Sequence, residues 1–374
     1  MAFLWEQKHW PEMTWDSASL STLLATVAHE QGRLRGKMER LGFKLQGDAY
    51  LQTLTEDVIK SSEIEGQFLK ADQVRSSIAR RLGMDIGGLT PVDRNVEGTV
   101  EMMLDATTNY DSPLTLERLL SWHTALFPTG RSGMTTILVG KWRDDRDGPI
   151  QVVSGPMGRE RVHFQGPPAV RVPREMTTFL EWLTKSHGEH PLLTAGIAHF
   201  WFVTIHPFDD GNGRIARAIA DLMLARSEKT SQRFYSMSSQ IRRERNEYYD
   251  ILEKSQKAGL DITEWLVWFL SCLHRAILNS GEILDRVMTK ARFWERFNQQ
   301  PLNDRQIKVL NSLIDGFEGK LTSSKWSKIA KCSQDTATRD IKDLIRRGAL
   351  KQEPGGGRST SFSLLLEGRN LSDH

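Results

Sequence analysis

The sequence predicts a mainly α-helical protein with short β-hairpins. Long segments without proline carry apolar residues in the manner of helices, and the run at 192–205 is apolar enough to be buried. Asp16 or Ser17 can cap a long first helix that ends near residue 41. Strands are indicated only at 148–165 and 350–365, where short β-rich runs lie beside glycine and proline. We therefore expect helices to form nearly all of the core.

The first 90 residues are predicted to form an N-terminal helical region. The first 15 residues, which hold three tryptophans and a proline, are expected to form an extended arm that packs on the body. Three helices should follow, at about 17–41, 49–65 and 70–82, because each segment has helical spacing. A connection with two adjacent glycines at 83–91 then leads into the central region.

Composition restricts the protein class. The chain has 374 residues, enough for two or three domains. Its 26% charged and 39% hydrophobic residues exclude a disordered chain. Cys272 and Cys332 do not build a disulfide framework, no apolar run has membrane-spanning length, and residues 1–8 lack a secretory pattern. We therefore expect a globular cytoplasmic protein with no membrane partner.

The most informative stretch is 206–217, which reads His-Pro-Phe-Asp-Asp-Gly-Asn-Gly-Arg-Ile-Ala-Arg. Pro207 should end the preceding helix, because proline lacks an N–H and constrains its predecessor. The glycines then allow a tight turn into a second helix. A turn that leads into a helix N-terminus presents free N–H groups and a positive dipole end, so the segment predicts an anion site.

The side chains of this stretch suit phosphate chemistry. His206 has an intrinsic pKa near neutrality and could accept a proton from a hydroxyl. Asp210 could bind Mg²⁺, which prefers oxygen ligands and substrate phosphates. Arg214 and Arg217 are three residues apart on one helix face, and their forked donors suit phosphate. Each of these residues alone is usually structural, but their ordered combination indicates function.

The stretch resembles the signature of the Fic family, His-x-Phe-x-(Asp/Glu)-Gly-Asn-Gly-Arg-x-x-Arg, at every fixed position. The resemblance extends over about 92–270, and it implies a protein adenylyltransferase, which moves AMP from ATP to a Ser, Thr or Tyr hydroxyl. By position, His206 would be the base, Phe208 would anchor the loop, and Asp210 would bind Mg²⁺. Arg214 would contact the phosphate chain, and Arg217 would hold the γ-phosphate. Three residues would cradle the phosphates: Gly211, Asn212 and Gly213.

A second family motif, (Ser/Thr)-x-x-x-Glu-(Gly/Asn), is similar to the segment from Ser61 to Gly66. In many Fic proteins this motif belongs to an autoinhibitory helix whose glutamate pairs with the second arginine of the site. The resemblance therefore implies that Glu65 pairs with Arg217 and takes the donors that the γ-phosphate needs. The motif alone would indicate only a helix C-terminus that is capped by glycine.

Other parts of the nucleotide site are implied by position. The strands at 148–154 and 161–165 predict a hairpin, which in Fic proteins is a flap that registers an extended target segment by strand addition. Ser154 and Gly155 would contact the nucleotide, whereas His163 is expected to be a flap side chain and not a second base. A helix is predicted at about 242–252. On this helix and just beyond it, the resemblance implies three residues that contact the nucleoside. Aromatic residues at helical spacing can also belong to a hydrophobic core. These residues are Tyr248, Tyr249 and Gln256.

The last region is expected to hold a linker helix and three short helices, at about 304–315, 323–331 and 333–347, followed by a hairpin. This order resembles a winged helix-turn-helix domain. Residues 301–374 have 13 Lys and Arg against 9 Asp and Glu, a modest excess for DNA binding. Protein docking is the alternative, since three aspartates also lie along the candidate recognition helix. The outward-facing residues would be Thr336, Thr338, Arg339 and Lys342, with Arg358 on the wing.

These observations predict three domains: an N-terminal helical region at 1–90, a Fic catalytic core at 91–280, and a linker helix with a winged helix-turn-helix at 281–374. We expect an autoinhibited adenylyltransferase that uses ATP and Mg²⁺ and acts on a target protein. Two alternatives remain: an enzyme that removes AMP, and a nucleotide-sensing regulator that binds DNA. Self-modification and a homodimer are further expectations.

Overall fold

The computed structural model describes residues 3–86, 89–146, 148–155, 159, 161–185, 188–297, 302–314, 317, 319–354 and 360–365. Within these residues the protein is mainly α-helical and has three two-stranded antiparallel sheets. None of the helices in these ranges combines the length and the apolar character that a membrane crossing requires. The chain divides into two compact units, which consist of Met1–Ile78 with Val92–Ser280 and of Ala79–Pro91 with Gly281–His374.

The first unit begins with a short 3-10 turn, Leu4–Glu6, where the sequence predicts an extended arm. Trp5 is buried, and its indole N–H donates to the Gln165 carbonyl at 2.7 Å, so the arm packs on the body as expected. Helix α1 follows at Ser17–Glu39. The carboxylate of Asp16 caps it by accepting from two N–H groups of the first turn.

Helix α2 spans Phe43–Ile64 and therefore starts about two turns earlier than the sequence predicts. Its C-terminus is a Schellman motif, in which Gly66 takes the left-handed conformation with φ 76°. The Gln67 N–H donates to the Ser62 carbonyl at 3.0 Å, and the Gly66 N–H donates to the Glu63 carbonyl at 3.1 Å. The chain consequently leaves the helix sharply after Glu65. Helix α3 follows at Ala71–Arg81.

The central helices surround a buried pair. Nearly every residue of α7 is buried, as the apolar run predicts, and this helix packs against α8. The predicted helix at 242–252 is wrong at its start, because the chain breaks at Glu244 and residues 242–243 end the preceding helix. The Glu244 carboxylate is held there by Arg275 through two hydrogen bonds. These helices are α4 Arg94–Thr108, α5 Leu116–Leu126, α6 Val172–Thr184, α7 Pro191–Ile205, α8 Asn212–Glu228, α9 Met237–Arg243, α10 Arg245–Gln256 and α11 Thr263–Phe297.

Two small sheets belong to the first unit. Strands β1, Arg131–Ser132, and β2, Thr135–Thr136, form a pair that the sequence does not predict. Strands β3, Gln151–Ser154, and β4, Arg161–Gln165, pair antiparallel with Gln151 opposite Gln165. The register shifts between the second and third residues of β3, which is typical of a bulge.

The second unit contains three short helices and a two-stranded sheet. Helix α12 is Asp304–Ile314, α13 is Ser323–Ala330 and α14 is Gln334–Arg346. Strands β5, Leu350–Gln352, and β6, Phe362–Leu364, pair antiparallel. The α13 cap is Thr322 and not one of the two following serines, because the Thr322 hydroxyl accepts the Lys325 N–H at 3.3 Å. Buried apolar residues form the core of this unit, among them Val309, Leu310, Leu321, Trp326, Ile341 and Leu344.

Candidate functional site

His206 ends α7 in an unusual backbone conformation. It is left-handed, with φ 51° and ψ 60°, which non-glycine residues adopt rarely. The following residue is Pro207, which cannot donate the next helical hydrogen bond. Backbone strain of this kind costs about 1–3 kcal/mol and is common at functional sites, where the surrounding structure maintains it. The conformation turns the chain abruptly out of the buried helix.

The His206 ring is prepared to accept a proton. Its Nδ1 lies 3.2 Å from the Val203 carbonyl, which assigns the ring proton to Nδ1 and leaves Nε2 as an acceptor. Burial lowers the pKa of His206 to about 4, and the nearby Arg143 contributes to this lowering. The imidazole is therefore neutral at pH 7 and can act as a base.

Phe208 and Asn212 fix the loop that follows. Phe208 is fully buried, and its ring stacks on His123 with centroids 4.0 Å apart. The Asn212 side chain accepts the Phe208 N–H at 3.0 Å and donates to the Phe208 carbonyl at 2.8 Å. These two bonds use both functional ends of the Asn212 amide, so its side chain holds the loop while its backbone forms the first turn of α8.

His123 supports the same loop from α5 and is not part of the sequence motif. Its Nδ1 accepts the Gly140 N–H at 3.1 Å, so its Nε2 donates to the Asp210 carbonyl at 3.2 Å. Burial lowers the pKa of His123 to about 4, which keeps the ring neutral in this bridging role. Periodicity could indicate only that His123 lies in a helix; its contact with the loop is purely tertiary.

Arg143 also positions the loop without belonging to the motif. Its side chain is buried, and its Nε donates to the His206 carbonyl at 2.7 Å. A second guanidinium nitrogen donates to the Pro167 carbonyl at 2.5 Å, and the backbone N–H of Arg143 donates to the Pro207 carbonyl at 3.0 Å. Arg143 therefore ties the segment after β4 to the strained turn at His206.

The Asp210 carboxylate is 39% exposed. One oxygen accepts from the Ser132 hydroxyl of β1, and the other accepts the Gly211 N–H at 2.5 Å. The Arg214 guanidinium is 3.9 Å away. In the described part of the chain, no three His, Cys, Asp or Glu side chains group as metal ligands. A single accessible carboxylate fits Mg²⁺ of the kind that is held mainly by substrate phosphates.

The N-terminus of α8 has a carboxylate lying over it. Gly211 is the N-cap residue of the helix with φ 86°, and a Cβ at that position would lie 2.9 Å from the Phe127 ring. A Cβ at Gly213 would lie 2.1 Å from Oε1 of Glu65. Since the first N–H groups of a helix have no partner within it, this is the location where a helix attracts an anion.

Arg217 holds that carboxylate. Its Nη2 lies 2.8 Å from Oε1 of Glu65, and the Glu65 side chain is 28% exposed. Ser61 adds two bonds, since its hydroxyl accepts from Nε at 2.9 Å and its carbonyl accepts from Nη2 at 2.7 Å. Burial alone would lower the pKa of Arg217, but the charge and hydrogen bond of Glu65, together with Tyr248 and Tyr249, outweigh this effect, so the pKa is raised.

Arg214 has a different set of partners. Its Nη1 donates to Oε1 of Gln67 at 2.8 Å, and its guanidinium lies 4.9 Å from the centre of the Phe127 ring. Burial lowers the pKa of Arg214, although Asp210 opposes this. Within the described ranges, three guanidinium nitrogens of the arginine pair are buried without a hydrogen-bond partner: Nε and Nη2 of Arg214 and Nη1 of Arg217. Buried, unpaired donors of this kind are costly, which suggests that a ligand supplies acceptors.

The residues assigned to the nucleoside lie at different depths. Tyr249 is half-buried beside the α2 terminus, where its hydroxyl donates to the Ile64 carbonyl at 3.5 Å. Tyr248 is buried, with its hydroxyl 2.9 Å from Nε2 of His199, and burial raises its pKa. Gln256 is also buried and donates to the Thr204 hydroxyl at 3.3 Å. Nucleoside contact by these three residues stays a prediction.

The β3–β4 hairpin approaches the site at one end. A Cβ at Gly166, just after β4, would lie 3.5 Å from the His206 Cβ. Ser154 lies at the other end of the pair, where its hydroxyl contacts His163 at 2.5 Å, and His163 contacts Glu253 of α10. Gly155 adjoins it with φ 104°. The structure therefore places the Gly166 end of the hairpin next to His206, whereas Ser154 lies at the opposite end.

Comparison with known families agrees with this geometry. The family described as Fic/DOC matches residues 113–224. The chain contains a Fic/DOC family domain. The matched residues include His123, the Asp210 loop and most of α8, so the Fic domain carries the N-terminus of α8 and the loop before it. Residues 3–84, which carry Glu65, match a domain of unknown function, DUF4172.

Curated relatives of the Fic domain are named as enzymes. The protein adenylyltransferase Fic of Culex quinquefasciatus is 24% identical over 245 residues, which are 63% of this chain and 42% of that protein. The protein of the same name from Nematostella vectensis is 32% identical over 116 residues, or 30% of this chain and 25% of that protein. The chain thus spans less than half the length of these relatives.

A solved structure shares the fold over nearly the whole chain. It is a Fic family protein from Desulfovibrio desulfuricans, with a TM-score of 0.54 and 21% identity. The match covers 97% of this chain and 100% of that chain. The arrangement of helices around the Fic domain is therefore shared with a known structure, while the chemistry of the site depends on its own residues.

Proposed function

We propose that this protein is an adenylyltransferase that transfers AMP from ATP to a Ser, Thr or Tyr hydroxyl of a protein. The observation that carries the proposal is the Glu65 carboxylate over Gly213, paired with Arg217 at 2.8 Å. A carboxylate that lies against a helix N-terminus and pairs with a guanidinium marks an anion site. The names of the curated relatives support ATP as the substrate that supplies this anion.

The phosphates of ATP would bind along the first turn of α8. The first N–H groups of this turn have no acceptor within the helix, and the Glu65 carboxylate lies against the same turn at Gly213. Arg214 and Arg217 have three unpartnered nitrogens among the described residues, and phosphate oxygens would satisfy them. Asp210 would hold Mg²⁺ together with the nucleotide, and the cation would neutralise part of the phosphate charge.

His206 would act as the base. The target hydroxyl gives its proton to Nε2 as its oxygen forms a bond to the α-phosphorus. The bond from that phosphorus to the bridging oxygen of the β-phosphate breaks, and pyrophosphate leaves. Rate enhancement would come from alignment of the hydroxyl and from the charge of Arg214 and the helix N-terminus. The β3–β4 hairpin would serve as the flap that aligns the target segment.

Glu65 would restrain this reaction. Its carboxylate uses the Arg217 donor that the γ-phosphate requires, so ATP cannot take its productive position while the pair is intact. Ser61 supports the restraint by accepting two further bonds from Arg217. Displacement of Glu65, by a partner or by movement of the α2 terminus, would free the site.

For the second unit we propose a winged helix-turn-helix that contacts DNA. Two of the aspartates whose negative charge would oppose DNA binding are paired with arginines. Asp340 is buried and pairs with Arg305, and Asp343 pairs with Arg346. Arg339 and Lys342 of α14 are exposed. Thr336 and Thr338 are half-buried, and Arg358, the predicted wing residue, lies outside the described residues.

The test of the proposed function compares wild type, Glu65→Gly and His206→Ala in a cell lysate with each labelled nucleotide triphosphate. We expect strong transfer of AMP from ATP with Glu65→Gly, weak transfer with wild type and none with His206→Ala. Mass spectrometry of the labelled band would identify donor and acceptor. Release of AMP from a modified protein, without any gain of label, would instead support the de-AMPylating alternative, and absence of both would contradict the proposal.

A further inference from the structure

Gln67 lies in the same turn as Glu65 and contacts the other arginine of the site. The turn after Gly66 is not helical, so residues two apart can point in the same direction. Oε1 of Glu65 is 2.8 Å from Arg217, and Oε1 of Gln67 is 2.8 Å from Arg214. Two acceptors from one short segment thus meet two guanidinium groups that are three residues apart on α8.

We propose that Gln67 is a second inhibitory side chain, which occupies a donor of Arg214 while Glu65 occupies a donor of Arg217. This inference rests on the proposed function, because it assumes that phosphate oxygens need the Arg214 donors. Arg214 is 2% exposed, so few other groups can reach its nitrogen atoms. A phosphate oxygen that binds Nη1 must displace the Gln67 amide first.

A supporting role for Gln67, in which it orients Arg214 for phosphate, is the alternative explanation of the contact. Arg214 already has two other contacts that fix its position. The Phe127 ring lies 4.9 Å from the guanidinium carbon, and the Asp210 carboxylate is 3.9 Å from Nη2. The Gln67 side chain accepts a hydrogen bond from Nη1 of Arg214. A phosphate oxygen that binds Nη1 would take the same position. The contact therefore fits competition better than support.

The two inhibitory side chains are anchored together. The Ile64 carbonyl, next to Glu65, accepts from the Arg245 Nε at 3.0 Å. The Gln67 backbone N–H closes the Schellman motif by donating to the Ser62 carbonyl at 3.0 Å. One movement of this turn would consequently withdraw both acceptors, whereas substitution removes them separately and allows their effects to be measured.

The test measures binding of magnesium and α,β-methylene-ATP, a nucleotide that cannot transfer AMP, by calorimetry. In the Glu65→Gly background, we expect Gln67→Ala to tighten binding by about tenfold, since one hydrogen bond to a charged group no longer competes. Gln67→Glu in that background should weaken binding instead, because a carboxylate competes more strongly for Arg214. The control is Gln52→Ala, which removes a side chain of the same type from α2 whose partner is Glu56.

Weaker or unchanged binding with Gln67→Ala, while Glu65→Gly still tightens it, would overturn the inference and leave the proposed function intact. Tighter binding without any transfer of AMP from ATP would support Gln67 as an inhibitor of nucleotide binding and contradict the proposed function. Thermal unfolding of each variant verifies that the chain folds. A purely structural role for Gln67 predicts no gain in affinity, and the opposite directions of the alanine and glutamate variants exclude a general loss of structure.

Discussion

The C-terminus of α2 and the N-terminus of α8 meet at Gly213 and are built differently. The α8 terminus is fixed from several sides: Phe208 is fully buried, Asn212 makes two hydrogen bonds to it, and His123 stacks on it. The α2 terminus carries a partly exposed Glu65 and ends in an exposed glycine. The difference suggests a rigid phosphate site at the start of α8 and a removable occupant at the end of α2.

The largest effect is expected for His206, the general base on the rigid side. His206→Ala, made in the Glu65→Gly background, should reduce AMP transfer by about 10²–10⁴-fold, the usual contribution of a general base. Binding of ATP should change little, because the imidazole accepts a proton and does not hold the phosphates. His163→Ala is the matched control, and a loss there as large as at His206 would mean that the wrong histidine has been chosen.

Asn212→Ala should destabilise the loop before α8 without altering Glu65. It removes both bonds to the buried Phe208 backbone, which we expect to lower the free energy of unfolding by about 1–3 kcal/mol. Urea unfolding, followed by fluorescence, measures this change. Asn109→Ala provides a comparison, since Asn109 bonds to Asp105 at the surface. Equal effects of the two substitutions would contradict a special role for the Asn212 amide.

Acid should destabilise the folded protein in part through His123 of the rigid side. Burial lowers the pKa of His123 to about 4 in the folded protein, whereas its ordinary value is 6.5. The unfolded chain therefore binds the proton first, and stability falls as the pH drops from 6.5 toward 4, by at most about 1.4 kcal/mol per pH unit. His123→Gln should make the unfolding free energy less dependent on pH in this window. An unchanged dependence of the unfolding free energy on pH would exclude His123 as a source of the acid destabilisation.

The smallest effect concerns the second unit. Arg339→Ala combined with Lys342→Ala should weaken DNA binding by about tenfold or less and reduce its salt dependence. Mobility shifts at low and moderate salt measure both quantities. AMP transfer should be unaffected. DNA binding that is the same for this variant and for wild type at both salt concentrations would exclude α14 as the contact.

The sequence predicts the residues within the α8 loop better than the residues that contact this loop from other elements. Contiguous residues carry the α8 loop, so its helix ends, its glycine turn and the fully buried Phe208 were foreseeable. The bracing residues were not, because His123, Arg143 and Ser132 reach the loop from separate elements, with no spacing rule to connect them. Gln67 was missed for the same reason, since it meets Arg214 across 147 residues.

Element boundaries differed where local patterns were ambiguous. Helical periodicity continues through Glu244, whereas its backbone, with φ −106° and ψ 30°, leaves the helical conformation before α10. The start of α2 at Phe43 lacks a capping side chain, so the sequence contained no start signal there. Burial of the tyrosine at 248 was also open in sequence, because an aromatic residue at helical spacing suits either a core or a pocket.

The most direct test of the central claim compares the affinities of wild type and Glu65→Gly for Mg·ATP and for AMP. In the proposed mechanism, Glu65 occupies the place of the outer phosphates, which AMP lacks. The account predicts that Glu65→Gly binds ATP at least about tenfold more tightly, the usual range for loss of a competing charged contact, while its affinity for AMP stays the same. An equal gain for both nucleotides, or no gain for either, would contradict the claim that this carboxylate stands in for phosphate.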